Sequence, residues 1–250
     1  MIEINCSEIW GGINSTNNDV TTRRVNASLY SRAHDNDSGG DIYYFSVCGK
    51  DLITRIAIAD VAGHGSSVSE ISSWLYEALS DNMNQAEGQK VLNKMNQTAL
   101  EEGIKGITTA SVFTVNAMSS KLSFSNAGHF PFLYKKCNET FWKPISFTNP
   151  KTKGNIPLGT LPGTHFDEES LEIRSGDRFF IYTDGLFEAS NKEKESFGSI
   201  QLLETLNDGP DLELSELKES MVQALETHRG EMPVQDDLTF MVVEFANEGS

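Results

Sequence analysis

The sequence predicts an α+β fold built mainly on antiparallel sheets. Strand-like apolar runs follow one another across short turns, the helix-period segments are grouped instead of alternating with strands, and a last strand-like run closes the chain. Residues 1–25 are polar and rich in Gly and Asn, and read as an irregular N-terminal arm ahead of a single domain over 26–247. Ala27–Ser31 reads as a short strand. Ile42–Val47 and Ile53–Asp60 are β-rich runs joined across Gly49-Lys50-Asp51, a hairpin connection. After Gly65 the period changes, and Val68, Ile71, Leu75, Ala78 and Leu79 recur at helical spacing behind a candidate cap at Ser66 or Ser67. A second helix is expected over Gln89–Glu102, with Val91, Leu92, Met95 and Ala99 on one face. Strands are expected at Thr109–Asn116, Lys121–Asn126 and Phe130–Lys135, and residues 137–165 read mostly as loop. Arg178–Thr183 is a strand, Ser196–Leu206 and Leu214–His228 are helices, and Leu238–Phe245 is the final strand.

Bulk properties exclude several classes. A chain of 250 residues with 38% hydrophobic content fits one domain with a core that needs no disulfides. Its net charge of -16, from 36 acidic and 20 basic residues, argues against nucleic acid as a partner, since such binding relies on Lys and Arg. No apolar run approaches the roughly 18 residues of a membrane span. The start, MIEINCSEIWGG, lacks the basic and apolar regions of a secretory signal, so a cytoplasmic location and no membrane partner are expected. Cys6, Cys48 and Cys137 form no CxxC pair and are expected to be small buried hydrophobes.

Position separates a merely soluble acidic surface from a functional one. Gly39-Gly40-Asp41 leads into IYYF, Asp60 ends IAIAD, Asp184 ends FFIYTD before Gly185, and Asp236-Asp237 opens LTFMVV. In each place an aspartate stands at the end of a hydrophobic strand, usually beside glycine. A strand in a sheet fixes its terminal residue, and glycine lets a ligand approach the backbone closely. Asp-Gly after a strand is also an everyday turn signal. Four such sites in one small domain weaken that reading, and carboxylates gathered at one edge call for a compensating cation. Hard divalent cations such as Mg²⁺ and Mn²⁺ suit an all-oxygen donor set, whereas the His and Cys donors of a structural zinc site are absent from these positions.

The segments GGDIYYF (39–45), IADVAGHG (58–65), TTASVF (108–113), SNAGHFP (125–131), IPLG (156–159), YTDGLFEA (182–189) and DDLTFMVV (236–243) occur in this order. With them the chain resembles the bacterial branch of the metal-dependent protein phosphatase family, the protein phosphatase 2C-like group of stage II sporulation protein E and RsbU. The resemblance implies a four-layer sandwich of two antiparallel β-sheets flanked by helices. It also implies two divalent cations, Mn²⁺ or Mg²⁺, with Asp60 bridging both and the Val61 carbonyl helping to bind one. Asp184 and Asp236 would ligate the other, and Asp41 would hold water on a metal. Asp237 is a further metal ligand in this reading, at a place where other relatives carry Asn. Asp60, Asp184 and Asp236 are the catalytic set.

The implied reaction is hydrolysis of phosphoserine or phosphothreonine on a regulatory protein, for instance of the anti-sigma-factor antagonist type. A water activated between the cations would attack phosphorus. His64 and His129 each sit in a GH motif and are read as loop-orienting groups instead of general acids. His34, His165 and His228 are read as surface residues, and Arg32 as a solvated arginine. Thr108 and Thr109 are expected to support the metal site or the helical pair. The resemblance also makes residues 66–102 a candidate regulatory switch. A partner-activated or non-catalytic module on the same fold stays open, as do a small-molecule phosphoesterase and a homodimer.

Overall fold

The computed structural model of the protein describes residues 1–34, 38–62, 66–82, 84–104, 107–145 and 156–246, and only the backbone of Ser66 and Ser67. His64 and the cap side chains at Ser66 and Ser67 therefore lie outside the described residues. In chain order the elements are β1 (Ile2–Glu3), β2 (Ile9–Asn14), β3 (Thr16–Thr21), β4 (Val25–Arg32), β5 (Ser38–Cys48), β6 (Ile53–Val61), α1 (Ser66–Asp81) and α2 (Gly88–Glu101). There follow β7 (Thr108–Asn116), β8 (Lys121–Ala127), β9 (Phe132–Lys135), β10 (Lys143–Ile145), β11 (Glu169–Glu172) and β12 (Arg178–Tyr182). The chain ends with α3 (Asp184–Phe187), α4 (Gly198–Asp208), α5 (Leu214–Arg229) and β13 (Leu238–Phe245).

Two sheets face each other. One runs β1-β3-β4-β13-β12-β9-β10 and the other β11-β8-β7-β6-β5-β2, and every named pairing is antiparallel except β1 with β3. Side chains alternate along each strand, so one set of residues faces the opposite sheet and the other faces a helical layer. Leu29, Phe45, Ile56, Phe113, Phe179 and Met241 belong to the core between the sheets. Phe113 stacks on Phe179 at 5.3 Å between ring centroids and meets Phe132 edge-on at 5.2 Å. The neighbouring positions Ile42, Tyr44, Ala57 and Ala59 pack with Leu75, Val91 and Met95 of α1 and α2. Phe180, Phe240 and Val242 pack with Leu202, Leu217 and Met221 of α4 and α5. The result is the expected sandwich of two sheets with helices on both outer faces.

Residues 1–25 are not the irregular arm that their composition suggests. β2 extends the second sheet by pairing with β5, with Trp10 opposite Phe45, and β3 pairs with β4 along its whole length. Trp10 lies 5.4 Å from the Tyr43 ring and 5.9 Å from Phe45. These strands are held by backbone pairing to a neighbour and by a few apolar side chains, so a sequence as polar as TNNDVT carries little strand signal. Two of the three cysteines also depart from expectation: Cys48 is buried, while Cys6 and Cys137 are exposed. Among the described residues no helix is long and apolar enough to cross a membrane.

Candidate metal centre at the sandwich edge

The alternation that builds the inter-sheet core also builds the site. On β5 and β6, Tyr43, Phe45, Ile56 and Ile58 face the opposite sheet. Their register ends at Ile42 opposite Ala59, so the next residues along are Asp41 and Asp60, on the same face at the same edge. On the other sheet Ile181 and Met241 face inward, and two residues on or back lie Thr183 and Thr239, then Asp237. The apolar core thus gives way, at one end, to a polar set drawn from both sheets.

Hydrogen bonds stitch this set across the sandwich. The Thr239 amide donates to Thr183 Oγ1 at 3.0 Å, and Thr183 Oγ1 donates to Asp41 Oδ2 at 2.7 Å. Ser31 and Thr239 hydroxyls lie 2.8 Å apart. Asp41 is only 3% exposed, and its other oxygen, Oδ1, is buried without a hydrogen-bond partner. A buried carboxylate oxygen with no partner is costly and asks for a ligand.

Asp237 ties backbone segments together through both carboxylate oxygens. Its Oδ1 accepts the His34 amide at 2.6 Å and its Oδ2 accepts the Gly40 amide at 2.5 Å, so the carboxylate holds β5 to the end of β4. Two glycines make room for this close packing. A Cβ at Gly40 would sit 2.7 Å from the Val61 carbonyl oxygen, and one at Gly185 would sit 1.9 Å from the Asp237 carbonyl oxygen. Val61 thereby brings its carbonyl against the strand that carries Asp41. Asp236 is exposed, and its Oδ1 accepts the Asp237 amide at 2.8 Å.

The carboxylates act on one another strongly. Burial raises Asp60 to about 8, with Asp184, Asp236, Asp237 and Glu188 pushing the same way. Burial together with Asp236 and Glu188 raises Asp184 to about 6. Asp41 is raised well above the usual carboxylate range by burial first and by Asp60 second. The expected aspartates are therefore brought to one edge, where each opposes ionisation of the next. Glu188, which closes α3 one turn after Asp184, belongs to the same field; in the sequence it is simply an exposed acid in YTDGLFEA.

His129 is buried at 4% exposure and its ring is pushed down to about 4 by burial, with the Tyr182 backbone favouring the charged ring weakly. Its Nδ1 lies 2.7 Å from Thr109 Oγ1, while Nε2 makes no well-formed hydrogen bond. Thr109 in turn stands opposite Asp60 across β6 and β7. Burial thus disfavours the charged imidazole, and Thr109 ties the ring to the strand that pairs with β6.

Residues 51–246 match the family model described as stage II sporulation protein E (SpoIIE). The chain belongs to the SpoIIE family. Over 238 residues it is 24% identical to phosphoserine phosphatase RsbP of Bacillus subtilis, covering 92% of this chain and 55% of the relative, so it spans about half that protein's length. The RsbU and RsbW domains of a Mycobacterium tuberculosis protein superpose with a TM-score of 0.75 at 19% identity, over 96% of this chain and 62% of that one. The SiaA-PP2C domain of Pseudomonas aeruginosa gives 0.76 at 19% identity, over 88% and 85%. Both share the fold of this SpoIIE-family chain.

The PP2C phosphatase domain of SpoIIE from Bacillus subtilis shares this fold, with a TM-score of 0.71 at 15% identity over 96% of this chain and 64% of that one, and the residues at the edge fit divalent cations. The donors are carboxylates and a backbone carbonyl, and one buried oxygen of Asp41 is left unsatisfied. Among the described residues no three Asp, Glu, His or Cys side chains close around a single point. Carboxylate and carbonyl oxygens are the donors that Mg²⁺-like ions choose, and such ions keep several waters and take one or two carboxylates each.

Proposed function

We propose that the chain is a metal-dependent phosphoprotein phosphatase that hydrolyses phosphoserine or phosphothreonine on a regulatory protein, with Mn²⁺ or Mg²⁺ as cofactor. The observation that carries this reading is the edge shared by both sheets, where Asp60 is pushed to about 8 mainly by burial and by neighbouring acids. A fold tolerates such mutual repulsion when cations offset it. Asp60, Asp184 and Asp236, with the Val61 carbonyl, would hold the two ions, and Asp41 would orient water through its unsatisfied oxygen. Bound there, two cations would clamp phosphoryl oxygens and lower the pKa of an attacking water.

The residues of the chain supply position and charge. Thr183 fixes the Asp41 carboxylate, Asp237 fixes the backbone on either side of it, and Glu188 adds negative charge beside Asp184. His129 is held neutral by burial, so proton transfer to the leaving oxygen falls to water. The name phosphoserine phosphatase, borne by the Bacillus subtilis relative, supports the choice of substrate class. A protein substrate of the anti-sigma-factor antagonist type follows from the family resemblance.

Hydrolysis of a phosphoserine peptide with Mn²⁺, Mg²⁺ or EDTA tests this. Turnover should require metal and fall by at least about 100-fold in Asp60→Asn and in Asp184→Asn. A folded wild-type protein that releases no phosphate at any metal concentration would contradict it.

A further inference from the structure

A cavity of about 230 Å³ adjoins the carboxylate edge, with Gly185, Glu188 and Asp236 in its lining. Its other walls come from β4 and α5. Tyr30 and Arg32 stand on the β4 face that packs against helices, since Tyr30 belongs to the helical core while Leu29 before it belongs to the inter-sheet core and Ser31 between them bonds Thr239. Val222 and Leu225 of α5 and Leu238 of β13 complete an apolar floor. The volume is below the about 300–1,000 Å³ of sites that enclose whole small molecules. It is the size for side chains of a longer ligand whose remainder lies outside.

Two arginines, Arg32 and Arg229, line this cavity. Arg32 is exposed and forms no ion pair with the described residues, and Arg229 spends Nη1 on the Met232 carbonyl at 2.8 Å. In a chain of net charge -16, two arginines with no carboxylate partner among the described residues, beside a cluster of acids, form a local exception to the surrounding field. Glu188 and Asp236, which also line the cavity, belong to the acidic field of the metal centre and would be offset by its cations. Glu226 then remains as the opposing charge.

We infer that this cavity is a specificity subsite for the protein substrate, receiving an acidic residue next to the phosphoserine through Arg32 and Arg229. The inference rests on the phosphatase reading above. A phosphoserine placed at the Asp184–Asp236 edge carries its neighbouring residues past Gly185 and Glu188, and so into the cavity those residues line.

The test compares kcat/KM for one phosphoserine peptide with Glu or with Lys on both sides of the phosphoserine, alongside para-nitrophenyl phosphate, which has no flanking residue. The overall negative field favours the Lys peptide, so a preference for Glu has to come from a local cationic site. The expected preference for Glu is about five-fold, the sum of two modest solvent-screened contacts. Arg32→Glu, at an exposed strand end, and Arg229→Glu should each reduce or invert that ratio. Equal rates, or a preference for Lys, with para-nitrophenyl phosphate still hydrolysed, would overturn the subsite and leave the phosphatase reading standing. So would a Glu preference that survives both substitutions. Absence of metal-dependent turnover of all three substrates by folded wild type would overturn the phosphatase reading and the subsite with it.

Discussion

Asp60 meets acids from two directions: Asp184 and Glu188 from α3, Asp236 and Asp237 from the start of β13. Its carboxyl is raised to about 8, so between about pH 4 and 8 the folded, metal-free chain binds a proton that the unfolded chain has released. Stability therefore falls as pH rises through that window. His129 works in the opposite direction, because its ring is lowered to about 4 and the unfolded chain takes up the proton between about pH 6.5 and 4. That contribution is complete above about pH 6.5, while the raised carboxyl of Asp60 goes on acting up to about pH 8. Thermal unfolding in EDTA should show Tm decreasing from pH 6.5 to 8, and saturating Mn²⁺ should remove the decrease. Asp60→Asn should raise the metal-free stability at pH 7, by on the order of 2–4 kcal/mol. A Tm that is flat or rising over that range in EDTA would refute the mutual repulsion. At Gly185 the constraint is steric, since an added Cβ would meet the Asp237 carbonyl oxygen at 1.9 Å. Gly185→Ala should lose about 1–3 kcal/mol of stability by chemical denaturation and weaken metal binding as well, because it displaces Asp184 and Asp237 together.

The helix α1 reaches the same edge through the buried side chains of Val68 and Ser72. Ser72 is fully buried, and its hydroxyl lies 3.0 Å from the Gly40 carbonyl and 2.9 Å from that of Val68. Gly40 precedes Asp41 and donates its amide to Asp237, so a shift of α1 is felt by the carboxylates. Ser72→Ala should cost about 1 kcal/mol, and calorimetry should find Mn²⁺ bound up to about five-fold more weakly. Unchanged Mn²⁺ affinity would mean that α1 packs on the sheet without governing the site. At this scale the sequence was readable wherever an element has a buried face. The periods of Val68–Leu79 and of Val91–Ala99 foretold α1 and α2, and the apolar runs ending at Asp60 and Thr183 foretold β6 and β12. TNNDVT and ESLE carry too few apolar residues to announce β3 and β11, which are strands because β4 and β8 offer them backbone partners. The strand-end aspartates were visible as a pattern, yet their convergence had to come from the resemblance, since period and spacing do not say which strand ends meet. Thr183, Ser72 and Glu188 left no mark for the same reason: each matters through a contact distant in sequence or through charge summed over several elements.

Across the whole molecule, the candidate metal centre joins two layers that otherwise meet through apolar side chains. Asp41 and Asp60 come from one sheet, and Asp184, Asp236 and Asp237 adjoin the other. Ions bound between them should stabilise the native state against unfolding, by about 2.7 kcal/mol at a hundred times the dissociation constant, which differential scanning calorimetry reads as a rise in Tm. The -16 net charge adds a long-range attraction for cations that salt screens. Binding that survives 0.5 M NaCl would thus mark a built site and not a diffuse acidic surface. The most direct measurement is isothermal titration of the metal-free protein with Mn²⁺ at pH 7, run in two buffers of different ionisation enthalpy. Two ions should bind per chain, with about one proton released on binding as Asp60 ionises, and this signature should be lost in Asp60→Asn. Binding that is absent, releases no protons, or is the same in Asp60→Asn would contradict a metal centre at this edge.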